Sequence, residues 1–260
     1  MFKILKYSFY DLVRSRWSYI YFLFYLILAL VLLFLNHDLT KAVITLMNVI
    51  IVLVPLIGTI FGVMYYYSSR EFTELLLAQP IKRNSIFLGQ YLGVSISLSL
   101  SLLLGIGIPF VIYGLFNSAA IWDFSLLLVT GVFLTFIFVA LAFNISLSNE
   151  NKIKGFGYAV LMWLFLAVIY DGIFLMSLMF FEEYPIDKLS LIGTMLNPID
   201  LSRTLILLKL DISALLGYTG AVFKQFFGTN LGLFISIGVL SLWTIVPTFR
   251  ILRKARKKDF

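Results

Sequence analysis

Six long apolar stretches dominate this chain of 260 residues. A helix needs about 20 mostly apolar residues to cross the hydrocarbon core of a bilayer, and the stretches are of that length. Transmembrane β-strands would be shorter and would alternate polar with apolar residues. The sequence therefore predicts an all-α integral membrane protein with one transmembrane domain, residues 1–260, whose six spans lie at about 17–35, 42–67, 91–116, 124–147, 157–181 and 231–251.

The composition excludes the soluble classes of protein. Hydrophobic residues make up 61% of the chain and charged residues only 13%, whereas a soluble domain carries roughly 25% charged residues. A soluble enzyme, a disordered chain and a nucleic-acid-binding domain are therefore not expected. The chain has no cysteine and one histidine, His37, and Met176 and Met179 alone make a poor metal site, so no catalytic, cofactor or metal site is predicted.

The positive charges are distributed unevenly along the chain. Most of the 20 Lys and Arg residues lie in the N-terminal segment, in the loops after spans two and four, and in the C-terminal tail. The positive-inside rule then places both termini in the cytoplasm. The net charge of +7 is thus explained by topology and needs no nucleic-acid partner. The loops assigned to the other side contain only Lys41, Lys188, Arg203, Lys209 and Lys224.

Residues 1–16 form a separate amphipathic element. Its predicted apolar face carries Phe2, Leu5, Phe9, Leu12 and Val13. Basic residues on the other face favour anionic headgroups, so we expect an elbow helix that lies in the cytoplasmic interface.

The cytoplasmic segment 68–90 predicts a short helix, a break and a new membrane helix. Ser68 and Glu71 have the spacing of a capping box, Pro80 disfavours helix at the preceding residue, and Asn84 is a candidate cap for span three. Phe72, Leu75 and Leu76 would share the apolar face. Two interpretations stay open: an ordinary interfacial loop, or a coupling helix that seats in a cytoplasmic motor subunit. The candidate coupling residues are Arg70, Glu71, Phe72, Glu74, Leu75, Leu76, Pro80, Lys82 and Arg83.

Span three carries a ridge of small residues. Gly89, Gly93, Ser97, Ser101 and Gly105 follow one another at intervals of four. Small residues let two helices approach closely in lipid, so this ridge predicts a helix-packing surface.

Asp171 is an acid well inside span five. A charge at the centre of a membrane helix costs roughly 2.5–3.5 kcal/mol on insertion scales, so the side chain should face protein or a wet cavity. It either lines a translocation path or accepts hydrogen bonds from a neighbouring helix.

The segment 182–230 is predicted to lie outside and to be partly helical. Asn197, Pro198 and Asp200 have the order of an N-cap, a first-turn proline and a first-turn acid. The helix that follows, and the apolar stretch 214–227, are too apolar for free loops. They would lie on the membrane surface or contact an external partner, with Asn197, Pro198, Asp200 and Arg203 as the candidate contacts.

Three segments carry a resemblance to a known family. Leu75–Gly93, which reads LLLAQPIKRNSIFLGQYLG, resembles the signature of ABC-2 type transporter permeases. It departs from that signature where Phe72-Thr73 replaces the common Gly-Thr. Asn149–Asp171 and Leu196–Leu210 are similar to the NosY permeases of the ABC transporter that serves nitrous oxide reductase maturation.

The resemblance implies a function and a set of partners. A NosY-like permease would sit in the bacterial cytoplasmic membrane as a homodimer surrounded by lipid. A separate NosF-like ATPase would hold ATP and Mg, and indeed this chain lacks the phosphate-binding motif G-x-x-x-x-G-K-[ST]. A periplasmic NosD-like protein would bind outside. The implied task is delivery of a copper or sulfur species for the copper-sulfur centre of nitrous oxide reductase.

Three other functions remain as alternatives. A generic ABC-2 exporter would move lipid, polysaccharide or drug. An integral membrane enzyme would need polar groups clustered at one depth, which the sequence does not supply as a recognisable pattern. A non-transporting scaffold would not depend on an ATPase.

Overall fold

The chain folds into a bundle of long helices in the computed structural model, which describes residues 1–36, 39–118, 120–180, 187–209, 220–227 and 229–257. These residues contain helices and turns and no β-strand. The α-helices are α1 Phe2–Arg14, α2 Arg16–Asn36, α3 Leu39–Ser68, α4 Arg70–Leu77, α5 Arg83–Ile112, α6 Ile121–Ser148, α7 Lys152–Leu164, α8 Tyr170–Phe180, α9 Asp187–Leu196, α10 Pro198–Lys209, α11 Gly220–Phe227 and α12 Asn230–Lys257.

Six helical segments are long and apolar enough to cross a membrane. They are α2, α3, α5, α6, the continuous segment from α7 into α8, and α12. A five-residue π-helix, Phe165–Ile169, joins α7 to α8. The prediction of an all-α protein with six spans is therefore confirmed for the described residues. Helix α5, which carries the third span, begins at Arg83, eight residues before the apolar stretch that starts at Tyr91.

The polar ends of several helices meet at one end of the bundle, which we call the basic end. It includes the start of α5, the end of α6 and the end of α12, since Arg256 contacts Asn84 and Lys254 contacts Ser148. Helices α1 and α4 also lie there, through Gly89 and Gln90 near the start of α5. The two segments with predicted cytoplasmic roles are thus neighbours in the fold.

The ridge of small residues on α5 is a packing surface, as predicted. A Cβ added to Gly93 would lie 2.6 Å from Ser8 Cβ, and one added to Gly105 would lie 2.9 Å from Tyr25 Cβ. Between them, Ser18 Oγ and Ser101 Oγ are 3.4 Å apart. Helices α1 and α2 therefore run along α5 in the same direction and pack closely against it.

One side of α1 packs against α5, and it overlaps the predicted apolar face in part. Ile4, Ser8 and Leu12 are buried, Leu5, Phe9 and Val13 are half-buried, and Phe2 is 81% exposed. The glycines of α5 accept a face that carries a small residue at its centre, and Ser8 supplies it. Whether α1 lies in the membrane interface stays a prediction.

Candidate functional site

Helix α4 is short and starts immediately after α3. Ser68 is the last residue of α3, and its hydroxyl donates to the carbonyl oxygen of Tyr65 at 3.2 Å. The N-cap position of α4 is Ser69, which makes no side-chain capping bond. The predicted capping box between Ser68 and Glu71 is therefore wrong, because α3 continues to Ser68 and uses that hydroxyl internally.

The side of α4 that faces the bundle is centred on Thr73. Thr73 is buried, and its hydroxyl accepts a hydrogen bond of 2.8 Å from Gln90 Nε2 of α5. Phe72 is half-buried and stacks on Tyr7 of α1, with 4.5 Å between the ring centroids. Leu75 is 68% exposed. The predicted face of Phe72, Leu75 and Leu76 is thus divided: Phe72 contacts the chain itself and Leu75 points away from it.

The remaining coupling candidates lie on the surface of the basic end. Arg70 and Glu74 form an exposed ion pair, with Nε and Oε1 3.0 Å apart. The other exposed candidates are Glu71, Pro80, Lys82 and Arg83, whereas Leu76 is half-buried. Asn84 does not cap α5, whose N-cap position is Lys82. Contact of these residues with an ATPase stays a prediction.

A second loop at the basic end, residues 148–155, is tied to its neighbours by polar contacts. Tyr67 of α3 donates its hydroxyl proton to the carbonyl oxygen of Asn149 at 2.7 Å. The side chain of Asn151 accepts bonds from the amides of Ile153 and Lys154, and so caps α7. Ile153 is 82% exposed beside this cap. The loop lies at the same end of the bundle as α4, and its role as an alternative docking surface stays a prediction.

Helices α9 and α10 form a bent pair with Asn197 at its tip. Their axes differ in direction by 117°. Asn197 Oδ1 accepts a bond of 3.1 Å from the amide of Ile199, so the predicted N-cap of α10 is confirmed. Pro198 occupies the first helical position, where its missing amide proton costs nothing.

The tip of this hairpin reaches the middle of two spans. Asn197 Nδ2 donates to the carbonyl oxygen of Leu166 at 2.7 Å, and Leu166 lies midway along the segment from α7 to α8. Trp243, close to the middle of α12, donates from Nε1 to the carbonyl oxygen of Met195 at 3.2 Å. The apolar residues of α10 bury in the main core, among them Leu201 and Leu205. Helices α9 and α10 thus contact the middle of two spans, as a broken span or a re-entrant loop would. Their position relative to the membrane surface stays a prediction.

The hairpin brings an ionic cluster against span five. Arg203 Nη1 of α10 lies 2.9 Å from Asp171 Oδ2 of α8 and 3.7 Å from Asp200 Oδ1. Asp200 Oδ2 accepts a bond of 2.8 Å from Asn197 Nδ2. The side chains of Asp171 and Arg203 are each 30% exposed, whereas that of Asp200 is 8% exposed. The cluster holds two carboxylates and one guanidinium.

A π-turn stands beside the cluster. The π-helix Phe165–Ile169 ends just before Asp171 and contains Leu166, whose carbonyl oxygen binds Asn197. A π-turn inside an α-helix changes the register of its backbone hydrogen bonds and is frequent at functional sites. The side chain of Asn197 therefore joins the hairpin to the one irregular turn of span five in the described residues.

The four predicted external contacts differ in their exposure. Asn197, Pro198 and Asp200 are buried inside the chain, and Arg203 is partly exposed and paired with Asp171. Contact of these residues with an external protein stays a prediction. Asp171 does bind a neighbouring helix, as one of its two interpretations requires; its part in a translocation path stays a prediction.

The residues weighed as metal ligands are Met176, Met179 and His37. No three His, Cys, Asp or Glu side chains come together in the described part of the chain. Met176 is 63% exposed, and His37 lies outside the described residues.

The six long apolar helices define a multi-pass helical membrane protein, and a partly exposed ionic cluster joins one of them to α10. No protein-family model matches the chain. Over 134 residues the chain is 25% identical to a protein of Stutzerimonas stutzeri described as "Probable ABC transporter permease protein NosY". The match covers 50% of this chain and 49% of that relative. This similarity supports the resemblance to ABC transporter permeases, whereas it supports the narrower NosY assignment only weakly.

Proposed function

We propose that this chain is the non-catalytic permease subunit of an ABC transporter in a bacterial cytoplasmic membrane. A separate cytoplasmic ATPase of the NosF type would bind ATP and Mg, and its motion would drive transport. The similarity to an ABC transporter permease and the six long apolar helices support this proposal.

The arrangement of α4 is the observation on which the proposal depends most. Leu75 presents an apolar side chain away from the bundle. On the other side, Thr73 binds Gln90 and Phe72 stacks on Tyr7. A force on α4 would therefore pass to α5 and α1 through direct contacts. A surface helix attached in this way suits a coupling helix better than an ordinary interfacial loop.

The exposure of span five supports the proposal of a homodimer. In its most apolar part, 17% of span five is buried within the chain, against 61% for α6. The same span carries Asp171, which with Arg203 remains 30% exposed near the middle of the bundle. Charged groups at this depth are costly against lipid and face protein or a wet cavity. A second copy of the chain would cover span five with protein and could enclose a wet cavity beside Asp171. Asp171 would then be part of a translocation path.

The narrower proposal is a NosY-like task in nitrous oxide reductase maturation. The segments Asn149–Asp171 and Leu196–Leu210, which resemble NosY permeases, are the ones that supply the ionic cluster. On this proposal the cargo is a copper or sulfur species, and a NosD-like protein binds segment 182–230 from the periplasm. Arg203 is the most accessible of its predicted contacts.

The test is co-purification of the ATPase with a tagged permease that carries Leu75→Asp. If Leu75 is an anchor at the centre of the interface, its loss should cost about 2 kcal/mol, so the affinity should fall roughly thirtyfold. Phe72→Asp is less suitable, because it would also break the stacking on Tyr7. Ile153→Asp is the matched variant, since it places the same charge on an exposed apolar residue of the second loop.

The two variants separate the possible outcomes. Loss of the ATPase with Leu75→Asp and its retention with Ile153→Asp support α4 as the coupling helix. The opposite pattern assigns coupling to loop 148–155. If neither variant releases the ATPase, or if no ATPase co-purifies with the unmodified chain, the proposed function is wrong.

A further inference from the structure

A small cavity lies at the basic end, where α1 turns into α2 beside the end of α3. Its volume is about 140 Å³. One part of its wall is polar and includes Asp11, Ser15 and Ser68. Another part is apolar and includes Phe61 and Met64. A cavity with both kinds of wall near the end of a membrane bundle suits an amphiphile whose polar group enters first.

A carboxylate lines the cavity, and two exposed guanidinium groups follow it in the sequence. Asp11 is that carboxylate, and Arg14 and Arg16 lie three and five residues further along the chain. Within the described ranges, Asp11 forms no ion pair with either arginine. A carboxylate accepts hydrogen bonds from an ammonium group, and arginine binds phosphate well. The site therefore matches a ligand that carries an ammonium and a phosphate a few atoms apart.

Two aromatic residues complete the site. Trp17 lines the cavity and is 58% exposed, which is typical of tryptophan at the level of lipid headgroups. Its ring can also attract a cation. Tyr65 is 5% exposed, and its hydroxyl lies near that of Ser8 without a well-formed hydrogen bond between them.

We propose that this cavity binds the headgroup of phosphatidylethanolamine. The ammonium group would donate to Asp11 beside Trp17, and the phosphate would lie toward Arg14 and Arg16. Phosphatidylglycerol has no ammonium group for Asp11. The quaternary ammonium of phosphatidylcholine is bulkier and has no proton to donate. The site does not depend on the proposed transport function.

The test is native mass spectrometry of the full-length protein released from bilayers that contain equal amounts of phosphatidylethanolamine and phosphatidylglycerol. The unmodified protein should retain phosphatidylethanolamine in preference. Asp11→Asn removes a charge-assisted hydrogen bond, so retention should fall about tenfold or more. Glu150→Gln makes the same chemical change at an exposed carboxylate of the basic end and should leave retention unchanged.

A second variant keeps every charge and fills the cavity. Met64→Trp should also reduce the retention of phosphatidylethanolamine, and it decides the matter if Asp11→Asn cannot be purified in folded form. Equal retention of the two lipids by the unmodified protein would overturn the proposal. Undiminished retention of phosphatidylethanolamine by the Asp11→Asn or the Met64→Trp protein would overturn it as well.

Discussion

Replacing Arg203 by glutamine should loosen the hairpin of α9 and α10 from span five. The substitution removes the cation that lies 2.9 Å from Asp171 and 3.7 Å from Asp200. Glutamine keeps much of the length and the polarity of the side chain, so the main change is the loss of charge. The two carboxylates would then face each other across the hairpin contact without a countercharge.

The expected loss of stability can be worked from the geometry. A hydrogen bond to a charged group contributes about 1.5–3 kcal/mol. Because both side chains are 30% exposed, screening reduces this contribution, and we expect about 2 kcal/mol. For a protein of this size the melting temperature should fall by about 4–8 °C. Asp171→Asn in the same chain removes the uncompensated charge and should recover about 1 kcal/mol of this loss.

The assay is the thermal stability of the detergent-solubilised protein for the two single variants, the double variant and the unmodified chain. Lys154→Gln is the control, because it makes a similar cation-to-amide change at an exposed position of the basic end. A coupling energy near zero between Asp171 and Arg203 would refute the reasoning. So would a loss of stability in the Lys154→Gln protein equal to that in the Arg203→Gln protein.

Two further substitutions test the packing of α5 and the tip of the hairpin. Gly93→Leu should prevent α1 from packing, because even a Cβ would lie 2.6 Å from Ser8 Cβ; Gly107→Leu, where nothing lies within 4 Å, should leave the yield of folded protein unchanged. Asn197→Ala removes the cap of α10 and the bond to Leu166, so it should lower the melting temperature and increase proteolysis of 182–230 in protease-treated proteoliposomes; unchanged protection would contradict the described position of the tip.

The six spans could be predicted because long apolar segments have few alternatives in a membrane protein. Helix α5 begins before the apolar stretch predicted as span three, and residues 83–90 include several polar side chains. Gln90 is one of them: it is buried, and its Nε2 donates to the hydroxyl of Thr73 of α4. A polar group that has such a partner is compatible with the interior of a helix bundle. Hydrophobicity therefore marks the apolar stretch but not the start of the helix.

The side of α1 that packs against α5 could not be predicted from hydrophobicity alone. Lipid is as apolar as leucine, so an apolar residue gains little by moving from lipid to a helix interface. Close packing decides instead, and it favours small residues on both helices. Ser8 therefore contacts Gly93, while Phe2 remains exposed. The regular ridge on α5 was visible in the sequence, but its partner helix was not.

The need of Asp171 for a countercharge explains why the hairpin packs against span five. Counting Lys and Arg by loop does not reveal this need. Arg203 counts as an external cation when only loops are considered, and Asp171 then stays without a countercharge inside span five. A carboxylate at that depth requires a partner at the same depth. The apolar helices α9 and α10 are each too short to cross a bilayer, a length that suits re-entrant segments. Entry of the hairpin satisfies both requirements, because it buries the apolar residues of α10 and brings Arg203 to Asp171.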